Sequence, residues 1–303
     1  MDIPQPFKDR YCAMVDEPDA FLACLNTYLP KSFRVNSLKA TAAGVREKFE
    51  GYGFSLKQMP WYEDAFVCDS LDINSTIEHF SGRIYMQELV SMLPPLMLRE
   101  ELSRARVVLD ACAAPGSKTT EMAALMGNLG TIVANDVAYP RIKALKFNIE
   151  KTGTLNTVIT NRDLRNFPRV QFDTVLLDAP CSSEGTMRKN GEMFQEWSLR
   201  AVLSNASQQR QLVLKAFELL APGGSMVYST CTFAPEENEM IVQHLLDHNP
   251  GAQIAPFAFE GLKTSRPLDE WQGRVFDERI RNAIRVWPHH NDTGGFFLAK
   301  VVK

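Results

Sequence analysis

Residues 106–120, RVVLDACAAPGSKTT, decide the fold. An apolar run ends in Asp110, small residues follow, and Pro115-Gly116 turns the chain into a stretch that reads as a helix over 117–126. Strand, tight turn and helix in that order are the opening unit of an α/β sheet. Gly116 lets the backbone approach a ligand closely, and the helix beyond it offers free N-terminal N–H groups at the same place. The turn is neither G-x-G-x-x-G nor G-x-x-x-x-G-K-[ST], which lowers the rank of nicotinamide cofactors and P-loop nucleotides.

Downstream the alternation repeats. Strands are predicted at 106–110, 131–135, 157–160, 174–178 and 225–229, with helices at 117–126, 140–152, 204–220 and 235–249. This pattern predicts a mostly parallel sheet covered on both faces. A late pair, 283–286 and 296–302, joined through Gly294-Gly295, would close it as an antiparallel hairpin. Upstream the rhythm differs: helices at 19–28 and 41–52, and strands at 32–36, 56–59 and 66–67, read as a small α+β module. Residues 1–84 are therefore expected to form that module and 85–303 the α/β domain. The junction segment 85–101 is expected as a helix that bends at Pro94-Pro95.

Composition sets the class. The chain has 303 residues, 45% hydrophobic and 23% charged, the profile of a globular protein. No apolar run reaches the ~18 residues of a membrane span, and MDIPQPFKDRYC lacks a signal peptide's basic end and apolar core. A cytoplasmic protein with no membrane contact is expected, and its six cysteines are expected as free thiols. No metal site is expected, because no C-x-x-C pair occurs. The net charge of −3 decides nothing about nucleic acid, but basic residues cluster at Lys31–Lys48, Arg162–Arg169 and Arg188-Lys189.

Ligands of such sheets bind beyond the carboxyl ends of the strands. Asp110, Asp136, Asp178 and Cys231 all fall at or just past predicted strand ends, so one rim would hold them. Asp136 is placed to accept ribose hydroxyls and Asp163 to meet an adenine amine, although each alone also fits a strand-end or helix-cap acid. Cys181 and Cys231 share the rim. An acid and two thiols on one cleft suit covalent chemistry on an electron-poor ring. The competing reading makes these thiols small buried hydrophobes, and Cys12, Cys24 and Cys68 take that reading outright.

The segments DACAAPGSKTT (110–120), LLDAPCSSEGTMRK (176–189), YSTCTFAPEENE (228–239) and FRVNSLK (33–39) resemble the RNA cytosine-5 methyltransferase family called NOL1/NOP2/Sun. The likeness runs from about Phe33 to the tail RVWPHHNDTGGFFLAK (285–300). It implies a Rossmann-like domain for S-adenosylmethionine behind a small RNA-binding module. Cofactor contacts then map onto Cys112, Ala113, Ala114, Pro115, Gly116, Ser117, Lys118, Asp136, Arg141, Asp163 and Asp178. Ser117 departs from the glycine many members carry. The TC cysteine, Cys231, is the expected nucleophile, with Asp178 near ring nitrogen 3 and Cys181 assisting proton removal or product release. Arg34, Asn36 and Lys39 are expected either to face RNA or to hold the two modules together, and Arg188 and Lys189 to hold phosphates. Phe194 and Trp197 are within reach of a base, while His289 and His290 are expected to be structural.

STIEHFSGRIYMQE (75–88) is most like bacterial enzymes acting on small-subunit ribosomal RNA, which places rRNA slightly ahead of tRNA, the substrate of short members. A monomer is expected. A DNA cytosine methyltransferase would carry F-x-G-x-G at the cofactor turn and a long recognition insert, and neither is present. The remaining alternative is a non-catalytic RNA-binding or ribosome-assembly factor on the same fold. Intact thiols and cofactor turn argue against it.

Overall fold

The computed structural model describes residues 3–189, 191 and 193–303. Its first sheet is antiparallel, in the order β2 (Leu56–Met59), β3 (Tyr62–Cys68), β1 (Lys31–Val35), β4 (Ile84–Met86). The helix Ala42–Gly51 covers it, burying Val45 and Phe49 against Phe33, Phe66 and Ile84. Thr41 caps that helix by accepting from the Gly44 N–H.

The second sheet carries the site. It comprises β5 (Val107–Asp110), β6 (Thr131–Asn135), β7 (Thr157–Thr160), β8 (Phe172–Asp178), β9 (Leu220–Thr230), β10 (Gln253–Ala255), β13 (Ile284–Val286) and β14 (Phe296–Val302). A separate ribbon pairs β11 (Glu270–Trp271) with β12 (Arg274–Val275). The order is β10-β14-β9-β8-β5-β6-β7, with β13 on β14. Strands β5 to β9 run parallel, and β14 returns antiparallel to β9 and β13, which is the expected α/β arrangement with its C-terminal hairpin. Val108, Leu109, Val175, Leu176, Leu177, Met226 and Val227 are fully buried, as strands covered on both faces must be. After β5 the chain winds out through β6 and β7, and later back through β8 and β9. The crevice thus opens at the carboxyl ends of β5 and β8.

Segment 85–101 corrects the sequence reading. It is not one bent helix: β4 ends at Met86, a turn spans Leu89–Met92, and short helices cover Leu93–Met97 and Arg99–Leu102. Tyr85 pairs with Arg34 in the first sheet, and Pro94-Pro95 falls in the first turn of a helix, where proline is tolerated. The expected junction at 84/85 therefore lies inside a strand.

The residues of the first module expected either to face RNA or to join the modules all bond to the second module or its junction. Arg34 is 0% exposed; it donates to Gln87 Oε1 and Thr120 Oγ1, both at 3.2 Å, and faces Glu121 at 3.8 Å. Asn36 Nδ2 donates to the carbonyls of Gly82 (2.8 Å) and Thr152 (2.7 Å). Lys39 remains at the surface, yet its ammonium donates to Ser81 O and Lys151 O at 3.0 and 2.6 Å. These bonds tie the two modules together.

The first helices, Gln5–Tyr11 and Pro18–Leu25, leave that module altogether. Phe7, Tyr11, Phe21 and Leu25 pack with Met187, Phe194, Phe233 and Trp287 of the α/β domain. Phe7 meets Phe194 and Trp197 edge-on at 5.5 Å, so both rings serve packing. Among the described residues no helix is long and apolar enough to cross a membrane, and all six cysteines are free.

Candidate active site

The carboxyl rim brings the expected groups together. Asp110 closes β5, Asp178 closes β8, and Cys181 and Cys231 sit in the loops after β8 and β9. Their sulfurs are 3.3 Å apart. Ser183, whose backbone is left-handed (φ 60°), places its hydroxyl 3.7 Å from Cys231 Sγ and 4.0 Å from Cys181 Sγ. Lys118, in the first turn of the helix Ser117–Leu125, reaches Asp178 Oδ2 at 2.7 Å, while Ser229 donates to Oδ1 at 2.8 Å.

The two thiols are made unequal. The hydrogen bond with Cys181 lowers the Cys231 pKa, burial and Asp178 oppose the shift, and Ser183 and Lys118 reinforce it. Cys181 is pushed up by the same hydrogen bond, by burial and by the charge on Cys231. Burial alone would depress the Lys118 pKa, but Asp178 outweighs it and keeps the ammonium charged. Asp110 is pushed up to about 7 by burial, although Thr119 donates to it at 2.6 Å.

Two cavities of about 280 and 390 Å³ meet at this rim and share Cys112, Ala114, Arg141, Asp178 and Cys231. The larger runs past Asp136 and Asp163 to Pro180 and Leu212. Asp136 accepts from the N–H groups of Ala114 (3.1 Å) and Ala138 (2.8 Å), and Arg141 donates to the Ala114 carbonyl. Asp163 is held by Arg165 at 2.5 to 3.0 Å, which lowers its pKa. Gly116 caps its helix at φ 106°, and a Cβ there would lie 2.9 Å from Leu145. Two strand-end acids, a glycine-capped helix N-terminus and two more acids at the inner end fit a nucleoside carrying a cationic tail.

The smaller cavity is walled by Glu88, Thr186, Lys189 and the Gly294–Phe296 turn. Lys189 is exposed there. Arg188 is not. It is 1% exposed and donates inward to Thr27 O, Thr27 Oγ1, Tyr28 O, Thr293 O and Asp292, at 2.6 to 3.2 Å. His289 and His290 both turn Nε2 to Asp16, at 3.4 and 3.0 Å. Sequence reasoning passed over Ser183, Ser229, Glu184 and Glu237, though all lie within or beside the quoted motifs.

Residues 97–302 match the family model described as 16S rRNA methyltransferase RsmB/F. The chain belongs to that family. Residues 3–89 match the N-terminal domain of 16S rRNA methyltransferase RsmF. Among curated relatives, the tRNA (cytosine(49)-C(5))-methyltransferase of Pyrococcus abyssi is 40% identical over 315 residues, covering 100% of this chain and 99% of that protein. The ribosomal RNA small subunit methyltransferase F of Klebsiella pneumoniae is also 40% identical, over 94% of this chain. The chain spans only 60% of that relative's length. A solved methyltransferase homolog from Pyrococcus horikoshii superposes with a TM-score of 0.87 at 33% identity, over 99% of this chain and 95% of that one. As an RsmB/F member the protein is an S-adenosylmethionine-dependent RNA methyltransferase.

Proposed function

We propose that this RsmB/F chain methylates carbon 5 of a cytosine in rRNA or tRNA through a covalent bond between Cys231 Sγ and carbon 6. The observation that carries it is the unequal thiol pair, 3.3 Å apart, where the two cavities join. S-adenosylmethionine, when bound, supplies an electrophilic methyl group. Asp136 and Asp163 would hold its nucleoside and the 112–118 turn its tail.

Carbon 5 of cytosine is a poor nucleophile. Addition of the Cys231 thiolate to carbon 6 moves the ring electrons toward nitrogen 3 and carbon 5. Asp178 would face nitrogen 3, and Lys118 Nζ, 2.7 Å from Asp178 Oδ2, holds the proton that would neutralise the charge developing there. Once Cys231 is a thioether, the hydrogen bond and the charge that raised Cys181 are gone. With the methyl group on carbon 5, Cys181 gives its own proton to solvent and takes the carbon 5 proton; the carbon–sulfur bond breaks, the double bond re-forms as the Cys231 thiolate leaves, and the nitrogen 3 proton returns to Lys118 by way of Asp178. A paired cytosine hides both faces, so the base must be unpaired or flipped in, at a few kcal/mol. Lys189 would meet a flanking phosphate.

STIEHFSG lends little weight to rRNA over tRNA. Thr76 caps a short helix, and Gly82 is wedged against Lys151 O, where a Cβ would lie at 2.1 Å. A relative of matched length acts on tRNA, so both substrates stand. The same reading keeps the protein cytoplasmic and monomeric. The test is bisulfite sequencing of rRNA and tRNA treated with wild type and two variants. Cys231→Ala should leave every cytosine unprotected, and Cys181→Ala should leave RNA covalently attached to protein on a denaturing gel. Protection by Cys231→Ala overturns the nucleophile assignment, and the absence of any protected site with wild type overturns the reaction.

A further inference from the structure

Nothing in the chemistry above explains what holds the two thiols at contact distance. They sit in loops from different strands, fifty positions apart in sequence. Each is followed by a hydroxyl residue: Ser182 after Cys181, Thr232 after Cys231. Ser182 Oγ and Thr232 Oγ1 are 2.8 Å apart, so the loops touch one step beyond the sulfurs. Glu237, fully buried, spans both loops. Its Oε2 accepts from Ser182 N (3.0 Å) and Gln209 Nε2 (2.8 Å), and its Oε1 lies 2.5 Å from Ser182 Oγ and 3.4 Å from Thr232 Oγ1. Gln209 also grips Pro180 O at 2.8 Å, at the other end of the Cys181 loop. Beyond Thr232 stands a second buried carboxylate. Glu184 Oε2 lies 2.8 Å from Thr232 Oγ1 and accepts the Phe233 N–H at 3.0 Å, while Oε1 takes Tyr11 OH and Trp197 Nε1.

The protons in this row can be counted. Three oxygen–oxygen contacts run from Glu237 through Ser182 and Thr232 to Glu184, and each needs one hydrogen. The two hydroxyls supply two. Glu184 already accepts from three other donors, so the third proton belongs on Glu237. We propose that protonated Glu237 is a positioning residue that locks the Cys181 and Cys231 loops together and so sets the spacing of the two thiols. It touches neither substrate nor cofactor and acts through Ser182 and Thr232. Burial raises its carboxyl to about 7, so the locked form persists near neutrality. Among the described residues, the ionisable groups acting on it are Glu184, Cys181 and Tyr228, whose hydroxyl donates to the Glu237 carbonyl at 2.6 Å; none of these is a cation. This proposal gives a role to the thiol pair of the reaction proposed above and rests on that reading.

The test needs no RNA. Iodoacetamide alkylation of Cys231 and Cys181 is followed by peptide mass spectrometry from pH 5.5 to 9 in the full chain, beside cofactor affinity. Glu237→Gln carries the missing hydrogen permanently and should leave the Cys231 rate within about twofold of wild type. Glu237→Ala should slow Cys231 alkylation about tenfold at pH 7, the thiolate lost when a thiol pKa rises by about one unit, with cofactor affinity unchanged. Ser182→Ala cuts the same row and should shift the same profile if Glu237→Ala does not fold. Unchanged profiles in both cutting variants overturn the proposal, as does a Glu237→Gln profile matching Glu237→Ala. Equal alkylation of the two cysteines in wild type would instead count against the nucleophile assignment, so the two failures are distinct.

Discussion

Replacing Arg188 with alanine separates a structural clasp from a phosphate contact. Its guanidinium donates to three main-chain carbonyls, one hydroxyl and Asp292. Asp292 is 67% exposed, so solvent screens that pair and it contributes ~0–1 kcal/mol. The carbonyls of Thr27, Tyr28 and Thr293 are another matter, because each acceptor stranded without its donor costs ~1–3 kcal/mol. Allowing for water entering the gap, the variant should lose about 3–5 kcal/mol. At ~2–4 °C per kcal/mol for large domains, that is a fall in Tm of at least ~6 °C by calorimetry. Arg188→Lys keeps the charge but has no planar fork to serve acceptors on several sides, and should lose much of the same stability. RNA affinity supplies the second readout. A lost phosphate contact would flatten the slope of log K against log salt by ~0.7 on single-stranded RNA, whereas the clasp predicts an unchanged slope. An unaltered Tm with a flattened slope would refute the assignment.

Lys189→Ala should do the reverse, reducing the salt slope by ~0.7 while Tm stays within about 1 °C; an unchanged slope would remove Lys189 from the RNA path. Burial pushes Asp110 up to about 7, Glu121 to about 8 and Glu237 to about 7, from ordinary values of 3.8 and 4.5. The folded chain therefore holds protons that the unfolded chain has released, so stability should fall as pH rises from about 4 to 8 and level off above. Melting curves at pH 5 and 8 check the sign, and Glu121→Gln should flatten the fall; a Tm that climbs with pH contradicts these shifts. Gly185→Ala puts a Cβ 2.1 Å from the Gly295 carbonyl oxygen, a main-chain clash that should destabilise the protein by at least ~2 kcal/mol; a full-stability variant would show that the turn can move aside.

Sequence made the rim legible because strand ends are local events. An apolar run closing in Asp110 or Asp178 announces both the strand and the rim on which its end side chains converge, and the cysteine motifs sit at the same kind of boundary. What stayed hidden depends on depth and on partners far along the chain. Arg34 and Arg188 look in sequence like any other exposed cation; their acceptors arrive from Gln87 and Thr120, and from Thr27 and Thr293. The helix expected over 85–101 failed for the same reason, since pairing with β1 claims its first residues as strand. Glu237 lay in plain view inside YSTCTFAPEENE, yet its role exists only once two loops fifty residues apart are laid side by side.

The buried cations bear on how RNA is gripped. Arg34, Arg188 and Arg285 are each at most 3% exposed, and Arg285 forks onto Glu239 while donating to Phe233 O. Arg10 pairs with Glu236 between Tyr11 and Trp271, and Lys118 is given to Asp178. None of these charges is free for a phosphate, and the whole chain carries −3. In the proposed RNA complex, electrostatic capture, which dominates non-specific binding of nucleic acid, would fall to surface cations, among which Lys189 lines the smaller cavity. Under the proposed reaction, recognition leans on the pocket beside Cys231, where covalent engagement of an unpaired base would add commitment that weak phosphate contacts do not provide.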